Sequence, residues 1–338
     1  MKSNSNTFLI AEVAQAHDGS LGILHSYIDA IATTGVDAIK FQTHIAEAES
    51  SEFEPFRVNF SYEDKTRFDY WDRMSFTKEQ WVEIKQHCDD VNLEFMSSPF
   101  SQAAVDLLEE LGISRYKIGS GEVTNFLMLE KICNTGKPII LSSGMSSYDE
   151  LDKAINFIES KGNDLSILQC TTAYPTPYER LGLNIISELK VKYPKYKIGL
   201  SEHTSEIYAG IAAVALGAEI LEFHAVFDKR MFGPDSKSSL SIDQIKDLVS
   251  GVRAIEKSLH NPIDKNNISE YKNLKTIFEK SLAVNKDLPI GHVMTFDDLE
   301  AKKPANKGIA SSNYKDVIGK KLLKSLSKWS FLTEGDLQ

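Results

Sequence analysis

Cysteine is scarce in this chain: Cys88, Cys133 and Cys170 are the only three in 338 residues, and no two fall in a CxxC spacing. So few, unpaired thiols exclude a disulfide framework and suit a reducing compartment. Long hydrophobic runs are missing too, so no segment reads as a membrane span. The first residues, Met1–Thr7, enter an apolar strand with no cleavable leader pattern, and a soluble cytoplasmic protein is expected. Positive charge is outweighed, with 38 Lys and Arg against 48 Asp and Glu and a formal charge of -10. That balance argues against a nucleic-acid-binding surface. Neither GxGxxG nor GxxxxGK[ST] follows a strand and opens a helix, so the common nucleotide-phosphate loops are absent.

What is present is a repeat of short β-rich runs and amphipathic stretches. The runs predict strands at Phe8–Ala14, Ala38–Thr43, Glu94–Pro99, Arg115–Ser120, Pro138–Gly144, Leu165–Thr171, Lys197–His203 and Glu219–Phe227. Each is apolar on both faces, as a strand covered on both sides must be. Between them, Gln102–Leu111, Asp149–Lys161 and Ser205–Leu216 read as helices, and Gly35, Gly112, Gly136, Gly162 and Gly217 stand where left-handed helix ends belong. Eight such units before residue 260 predict a (β/α)8 barrel over residues 1–258. A long loop at 44–76, rich in Glu, Phe and Tyr, reads as a functional lid or a disordered segment. Residues 259–280 read as a polar linker, and 281–338 as a small domain of turns and short strands, too small to stand comfortably alone.

In a barrel the C-terminal strand ends carry the chemistry. Here they bring Glu12, Lys40, Gln42, Ser98, Lys117, Ser120, Glu122, Ser142, Thr172, Tyr174, Ser201, His203 and His224, with Asp235 in the following loop. His203 and His224 close neighbouring strands, where two imidazoles suit a divalent metal with open coordination. Lysines and serines suit a phosphorylated anion, and Ser98, Ser142 and Ser201 also read as caps for the next helices. Glu12, Glu122 and Asp235 suit proton transfer or sugar hydroxyls, while Glu12 with Lys40 also reads as a structural pair. Three chemistries fit this set: addition to a metal-polarised carbonyl, a Schiff-base aldolase with Lys117 as nucleophile, and a metal-dependent hydrolase.

Several segments carry a resemblance: Ile10-Ala-Glu12, His17-Asp-Gly-Ser20, Lys40-Phe-Gln-Thr-His44, Ser98-Pro-Phe-Ser101, Tyr116-Lys-Ile-Gly-Ser-Gly-Glu122, Gly136–Met145, Tyr174-Pro-Thr-Pro177, Gly199–Thr204 and Gly233-Pro-Asp235. With the tail from Asp287 to Pro304, they make the chain resemble the sialic acid synthase family, the phosphoenolpyruvate-dependent nonulosonate synthases, over essentially its whole length. The resemblance implies a TIM barrel followed by an antifreeze-like (SAF) domain. It implies condensation of phosphoenolpyruvate with an N-acetylmannosamine-like aldose, giving a 2-keto-3-deoxy acid and phosphate for surface glycan synthesis. It further implies Mn2+ or Mg2+ on His203 and His224, and a phosphoenolpyruvate site of Lys40, Ser98, Lys117, Ser120, Ser142 and Ser201. The sugar side would be Glu12, Gln42, Tyr174, Asp235 and Lys303, with Glu122 or Glu12 as the acid–base group beside Lys117. A homodimer in which each tail covers its partner's barrel is implied as well. Departures fall mainly on the sugar side: Ala16 and Thr172 stand where the family commonly has Asn, Glu202 where it has Asp, and Lys303 where it has an acyl-binding Arg. Lysine lacks arginine's planar fork. A sister synthase with a non-acetylated or diacetamido trideoxy acceptor, and a non-catalytic sugar- or phosphate-binding protein, are the alternatives.

Overall fold

A computed structural model describes residues 6–58 and 60–338. Residues 1–5, on which the expectation of no leader bears, and one position of the long loop, Asn59, lie outside the described residues. The chain separates into two compact units, 1–261 and 262–338.

The first unit is a barrel of eight parallel strands: β1 (Phe8–Glu12), β2 (Ala38–Thr43), β3 (Glu94–Pro99), β4 (Tyr116–Ile118), β5 (Ile139–Ser142), β6 (Leu165–Cys170), β7 (Lys197–Glu202) and β8 (Ile220–Val226). The ladder runs β3-β2-β1-β8-β7-β6-β5-β4, and β3 packs beside β4 to bring the two ends together. β2 and β3 have the expected bounds, and the other six strands are shorter than their apolar runs suggest, β4 and β5 most of all, because the runs continue into the loops that build the rim. Helices between strands start and stop on local chemistry. Ala104 N–H donates to Ser101 Oγ at the head of Gln102–Leu111, and Gly112 ends it at φ +70°. Ser147 and Glu150 form a capping box on Tyr148–Lys161, and Gly162 closes that helix at φ +84°.

These caps overturn one expectation. Ser101 and Ser147 cap the helices after β3 and β5, and the helix after β7, Tyr208–Ala215, has no side-chain cap. Ser98, Ser142 and Ser201 are therefore not caps, because they sit within the strands, several residues ahead of the helices. The long loop is also more ordered than its composition suggests. It holds helices Ala46–Glu49 and Arg67–Met74, the latter started by a Thr66–Asp69 capping box. Its Tyr70, Trp71 and Met74 gather with Ala46, Phe56, Phe60 and Phe68 in an apolar cluster of their own.

The second unit pairs Ser281–Val284 antiparallel with Leu299–Lys302 around a small core that includes Leu282, Val284, Met294, Val317 and Leu332. Residues 259–280, expected as a linker, are exposed throughout, but the first two end the helix Ile242–His260 and the segment contains the helix Lys272–Phe278. No helix among the described residues is long and apolar enough to cross a membrane.

Close packing of β7 on β8 leaves no room at Gly199, where a Cβ would stand 2.2 Å from the Ile220 carbonyl oxygen and 2.6 Å from Leu168 Cδ2. Gly199→Ala is expected to cost about 1–3 kcal/mol. At roughly 2–4 °C per kcal/mol, thermal melting would show this as a drop of several degrees, and an unchanged melting temperature would contradict the packing described.

Candidate active site

The site grows out of strand periodicity. Side chains alternate between the helix layer and the barrel interior, so residues two apart share a face. Inside, Ile10, Ala38, Met96, Ile140, Leu168 and Ile220 form one apolar layer. Two residues further along, the same six strands supply Glu12, Lys40, Ser98, Ser142, Cys170 and Glu222, all buried. Register sets the neighbours: Glu12 lies beside Lys40 and His224, and Ser201 beside Cys170 and Glu222.

Alternating charges tie this polar layer together. Lys40 Nζ lies 2.6 Å from Glu12 and 3.8 Å from Glu222, and Lys117 Nζ lies 3.3 Å from Glu222. Lys40 also donates to Ser98 Oγ at 3.3 Å, and Ser201 Oγ donates to Glu222 at 3.0 Å. Burial disfavours both ammonium groups, but Glu12 and Glu222 outweigh it at Lys40 and raise that lysine above its ordinary value. At Lys117 burial prevails over Glu222, and the value falls. Burial would raise Glu222, yet Lys117 and Lys40 hold it below the usual carboxylate range. Ser142 Oγ and Glu222 Oε2 are buried without a hydrogen-bond partner. Unpaired polar atoms in such a place mark room for a ligand or water.

One layer higher stand the histidines. The rings of His203 and His224 are 5.2 Å apart, and Tyr174 lies 4.4 Å from His203. Burial first, and His224 second, keep His203 well below the ordinary imidazole value, so it is neutral, the form that binds metals. Beside it, Glu202 accepts from the Thr204 N–H and hydroxyl at 2.8 and 2.7 Å, and burial pushes it up to about 7.

Above the layers opens a cleft of about 430 Å3, lined by Gln42, Ser120, Glu122, Thr172, Tyr174, His224 and Asp235 from the barrel, and by Glu54, Arg57 and Trp71 from the long loop. Glu122 is half-buried, and burial raises it despite a 2.7 Å hydrogen bond from Asn125. Arg57 stacks 4.1 Å over Tyr174 and donates to Asp235 at 2.6 Å. Ser120 is fitted tightly to the β5 loop: a Cβ at Gly144 would fall 1.9 Å from its Oγ.

Of the residues named from the sequence, those in the barrel converge. Glu12, Lys40, Ser98, Lys117, Ser142 and Ser201 lie in or beside the charged layer, and Gln42, Ser120, Glu122, Tyr174, His203, His224 and Asp235 lie on the histidine layer or the cleft wall. Lys303 belongs to the second unit, where its ammonium sits 4.8 Å over Phe278. Three participants escaped the sequence reading. Glu222 stands two residues before His224, so its shared face was legible in strand periodicity. Cys170, 3.5 Å from Ser120 Oγ and 4.0 Å from His203 Nδ1, occupies the same layer by the same count. Arg57, in an aperiodic loop, gave no signal.

Known proteins give this geometry a context. A family model described as the NeuB family matches residues 27–264, and one described as the SAF domain matches residues 279–338. The chain belongs to the NeuB family. It is thus an enzyme, a carbon–carbon bond-forming synthase, and not a binding protein on a retired scaffold. It is 35% identical over 334 residues to the N,N'-diacetyllegionaminic acid synthase of Campylobacter jejuni, across 97% of this chain and 99% of that one. It is 32% identical over 324 residues to the human N-acetylneuraminate-9-phosphate synthase, across 95% and 90%. A solved sialic acid synthetase from Leptospira borgpetersenii superposes with a TM-score of 0.71 at 29% identity, covering 81% of this chain and 92% of that one. Barrel and SAF domain both match the expected architecture.

Glu222 is the charge that both lysines of this NeuB-family site share. Glu222→Gln keeps the volume but leaves two buried ammonium groups with one carboxylate, at a cost of about 3–5 kcal/mol. Adding Lys117→Met should recover much of that loss, because the pair acts as a unit. Denaturant midpoints of the single and double variants measure both; a Glu222→Gln protein as stable as its parent would refute the charge-sharing account.

Proposed function

We propose that the enzyme condenses phosphoenolpyruvate with an N-acetylmannosamine-like aldose, giving a sialic-acid-type 2-keto-3-deoxy acid and inorganic phosphate. The observation that carries this is the buried layer in which Lys117 and Lys40, with Ser98, Ser142 and Ser201, surround unpartnered polar atoms below a cleft wide enough for a sugar. Phosphoenolpyruvate bound there meets two ammonium groups and hydroxyl donors suited to phosphate and carboxylate oxygens. Its C3 attacks the aldose aldehyde, water adds at C2, and the C–O bond breaks to release phosphate.

His203 and His224 would hold a divalent cation, Mn2+ or Mg2+: their buried rings are 5.2 Å apart, and burial keeps His203 well below the ordinary imidazole value. No group of three His, Cys, Asp or Glu donors gathers among the described residues, so a cation held by the two imidazoles would need substrate or water as further ligands. Bound there, the cation supplies Lewis-acid polarisation of the aldehyde oxygen. Proton transfer falls to Glu122 in this reading. It lines the open cleft with a raised pKa, whereas Glu12 is engaged by both Gln42 and Lys40. Gln42, Tyr174 and Asp235 would face the aldose, with Arg57 ordering Asp235.

The acceptor reading extends to sister sugars. Relatives named for diacetyllegionaminic acid and pseudaminic acid stand at 35% and 32% identity, beside one named for N-acetylneuraminate 9-phosphate at 32%. Three free cysteines agree with a cytoplasmic setting. A homodimer with exchanged tails is part of the proposal, supported by exposed Ile263, Ile268, Leu274, Ile277 and Phe278 ahead of the second unit's core.

The burial-lowered Lys117 favours a second reading, the Schiff-base aldolase. One assay separates the two. With Mn2+ and a panel holding N-acetylmannosamine, its 6-phosphate, mannose and diacetamido trideoxyhexoses, the synthase releases phosphate and forms a 2-keto-3-deoxy acid, and a chelator stops it reversibly. Borohydride trapping of substrate on Lys117, or full turnover after metal removal, would favour the aldolase. For the exchanged tail, a chain ending at Asn261 should keep its barrel circular dichroism and lose turnover; an active truncated monomer would remove that part of the proposal.

A further inference from the structure

His44, two residues beyond Gln42, has no part in the chemistry above, yet it is among the most tightly held side chains near the cleft. It is buried, and its ring lies flat between Trp71, at 3.9 Å and 14°, and Phe100, at 4.5 Å and 11°. Nδ1 is 2.5 Å from Glu49 Oε1 on the short helix of the long loop. Nε2 is 2.9 Å from Gln15 Nε2 and 3.1 Å from Gln42 Oε1.

Donor and acceptor capacities fix the rest. A carboxylate accepts, so Nδ1 carries the proton and Nε2 keeps a lone pair. That lone pair accepts from the Gln15 amide. The other Gln15 N–H donates to Gln42 Oε1 at 2.7 Å, which leaves the Gln42 amide nitrogen to donate to Glu12 Oε1 at 2.8 Å. Reversing Gln42 would set its oxygen against the Glu12 carboxylate, and reversing Gln15 would set its oxygen against Gln42 Oε1, so Gln42 Oε1 takes its hydrogen bond from Gln15 and its 3.1 Å approach to His44 Nε2 is a contact without a shared proton. One chain of hydrogen bonds therefore runs from Glu49 in the loop, through His44, to Glu12 and the Lys40–Glu222–Lys117 cluster.

We infer that His44, polarised by Glu49, is a positioning residue for the acceptor half of the reaction: it locks Gln15 and Gln42 in the single amide orientation that presents Gln42 to the aldose and ties it to Glu12. The kinetic part of this inference rests on the proposed synthase function. The aromatic sandwich by itself offers a purely structural role, and the test separates the two.

His44→Phe preserves a ring between Trp71 and Phe100 and removes both nitrogens. The expected result is a lowered melting temperature with the barrel still folded, because Glu49 and Gln15 each lose a buried partner, together with a loss of about 10–100-fold in kcat/KM for the aldose and a KM for phosphoenolpyruvate within about twofold. Glu49→Gln should lower the same constant less, and the double variant should be no worse than His44→Phe, because Glu49 acts through the imidazole. Long-range 1H–15N spectra of the wild-type protein should show the Nδ1–H tautomer for His44. Wild-type kinetics in His44→Phe, additive losses in the double variant, or the Nε2–H tautomer would each overturn the inference. If wild-type protein makes no keto acid from any sugar in the panel, the synthase reading fails separately, and the tautomer alone decides the hydrogen-bond assignment.

Discussion

Charge balance among four buried side chains is the constraint on which the site depends. Moving an ion out of water costs several kcal/mol even after relaxation, so buried ions persist only when paired and hydrogen-bonded. Glu12, Lys40, Glu222 and Lys117 satisfy this as an alternating row in which the two inner members each meet two opposite charges. The two ends are not equivalent. Glu12 has Lys40 and the Gln42 amide, while Lys117 has Glu222 and, at 3.5 Å, the carbonyl oxygen of Ile118. Burial accordingly lowers Lys117 whereas Lys40 is raised. The row thus ends on an ammonium with unmet demand, beside a hydroxyl, Ser142, that also lacks a partner in the same layer. An anion arriving there would answer both needs, whereas a neutral ligand could pair with the hydroxyl but not balance the ammonium.

Strand periodicity explains how much of this could be read in advance. Each strand's apolar run predicted its place in the barrel, and counting by two from any interior residue predicts its layer. Glu12 was visible because it ends its strand, and Lys40 and His224 because a lysine or an imidazole within an apolar run stands out as a residue type. Glu222 was overlooked because it interrupts an apolar run; yet the count that puts His224 inside puts Glu222 there as well. The serines were visible as residue types but ambiguous in role, since a strand-end serine and a helix cap look alike until the helix start is known. Ser101 and Ser147 show that here the caps lie elsewhere.

The cleft wall was less legible, for a different reason. Arg57, Trp71 and Glu49 sit in a segment with no repeating face, and their positions follow from tertiary packing of Tyr70, Trp71, Met74 and Phe60 into a local cluster. Composition revealed that the segment was rich in Glu and aromatics but not which of them face the substrate. His44 lies at the boundary between these regimes. Its distance from Gln42 is set by β2, while its ring plane is set by Trp71 in the loop and Phe100 after β3.

That division bears on how one fold serves several acceptors. The floor is built by ladder register and balanced charge, so replacing one member strands another, and the polar layer can change only in concert. The wall is held by an apolar cluster and by ion pairs such as Arg57–Asp235, whose members are partly exposed and can be exchanged at small cost. On the proposed function, chemistry common to the family would belong on the floor, and discrimination between sugars on the wall. The departures from the family pattern follow this division only in part: Thr172 lines the cleft and Lys303 belongs to the second unit, but Glu202 is buried beside His203, while Lys40, Lys117 and Glu12 keep the buried row intact. A floor so constrained fixes the reaction more firmly than it fixes the acceptor, because only the wall is free to vary without unbalancing the charges beneath it.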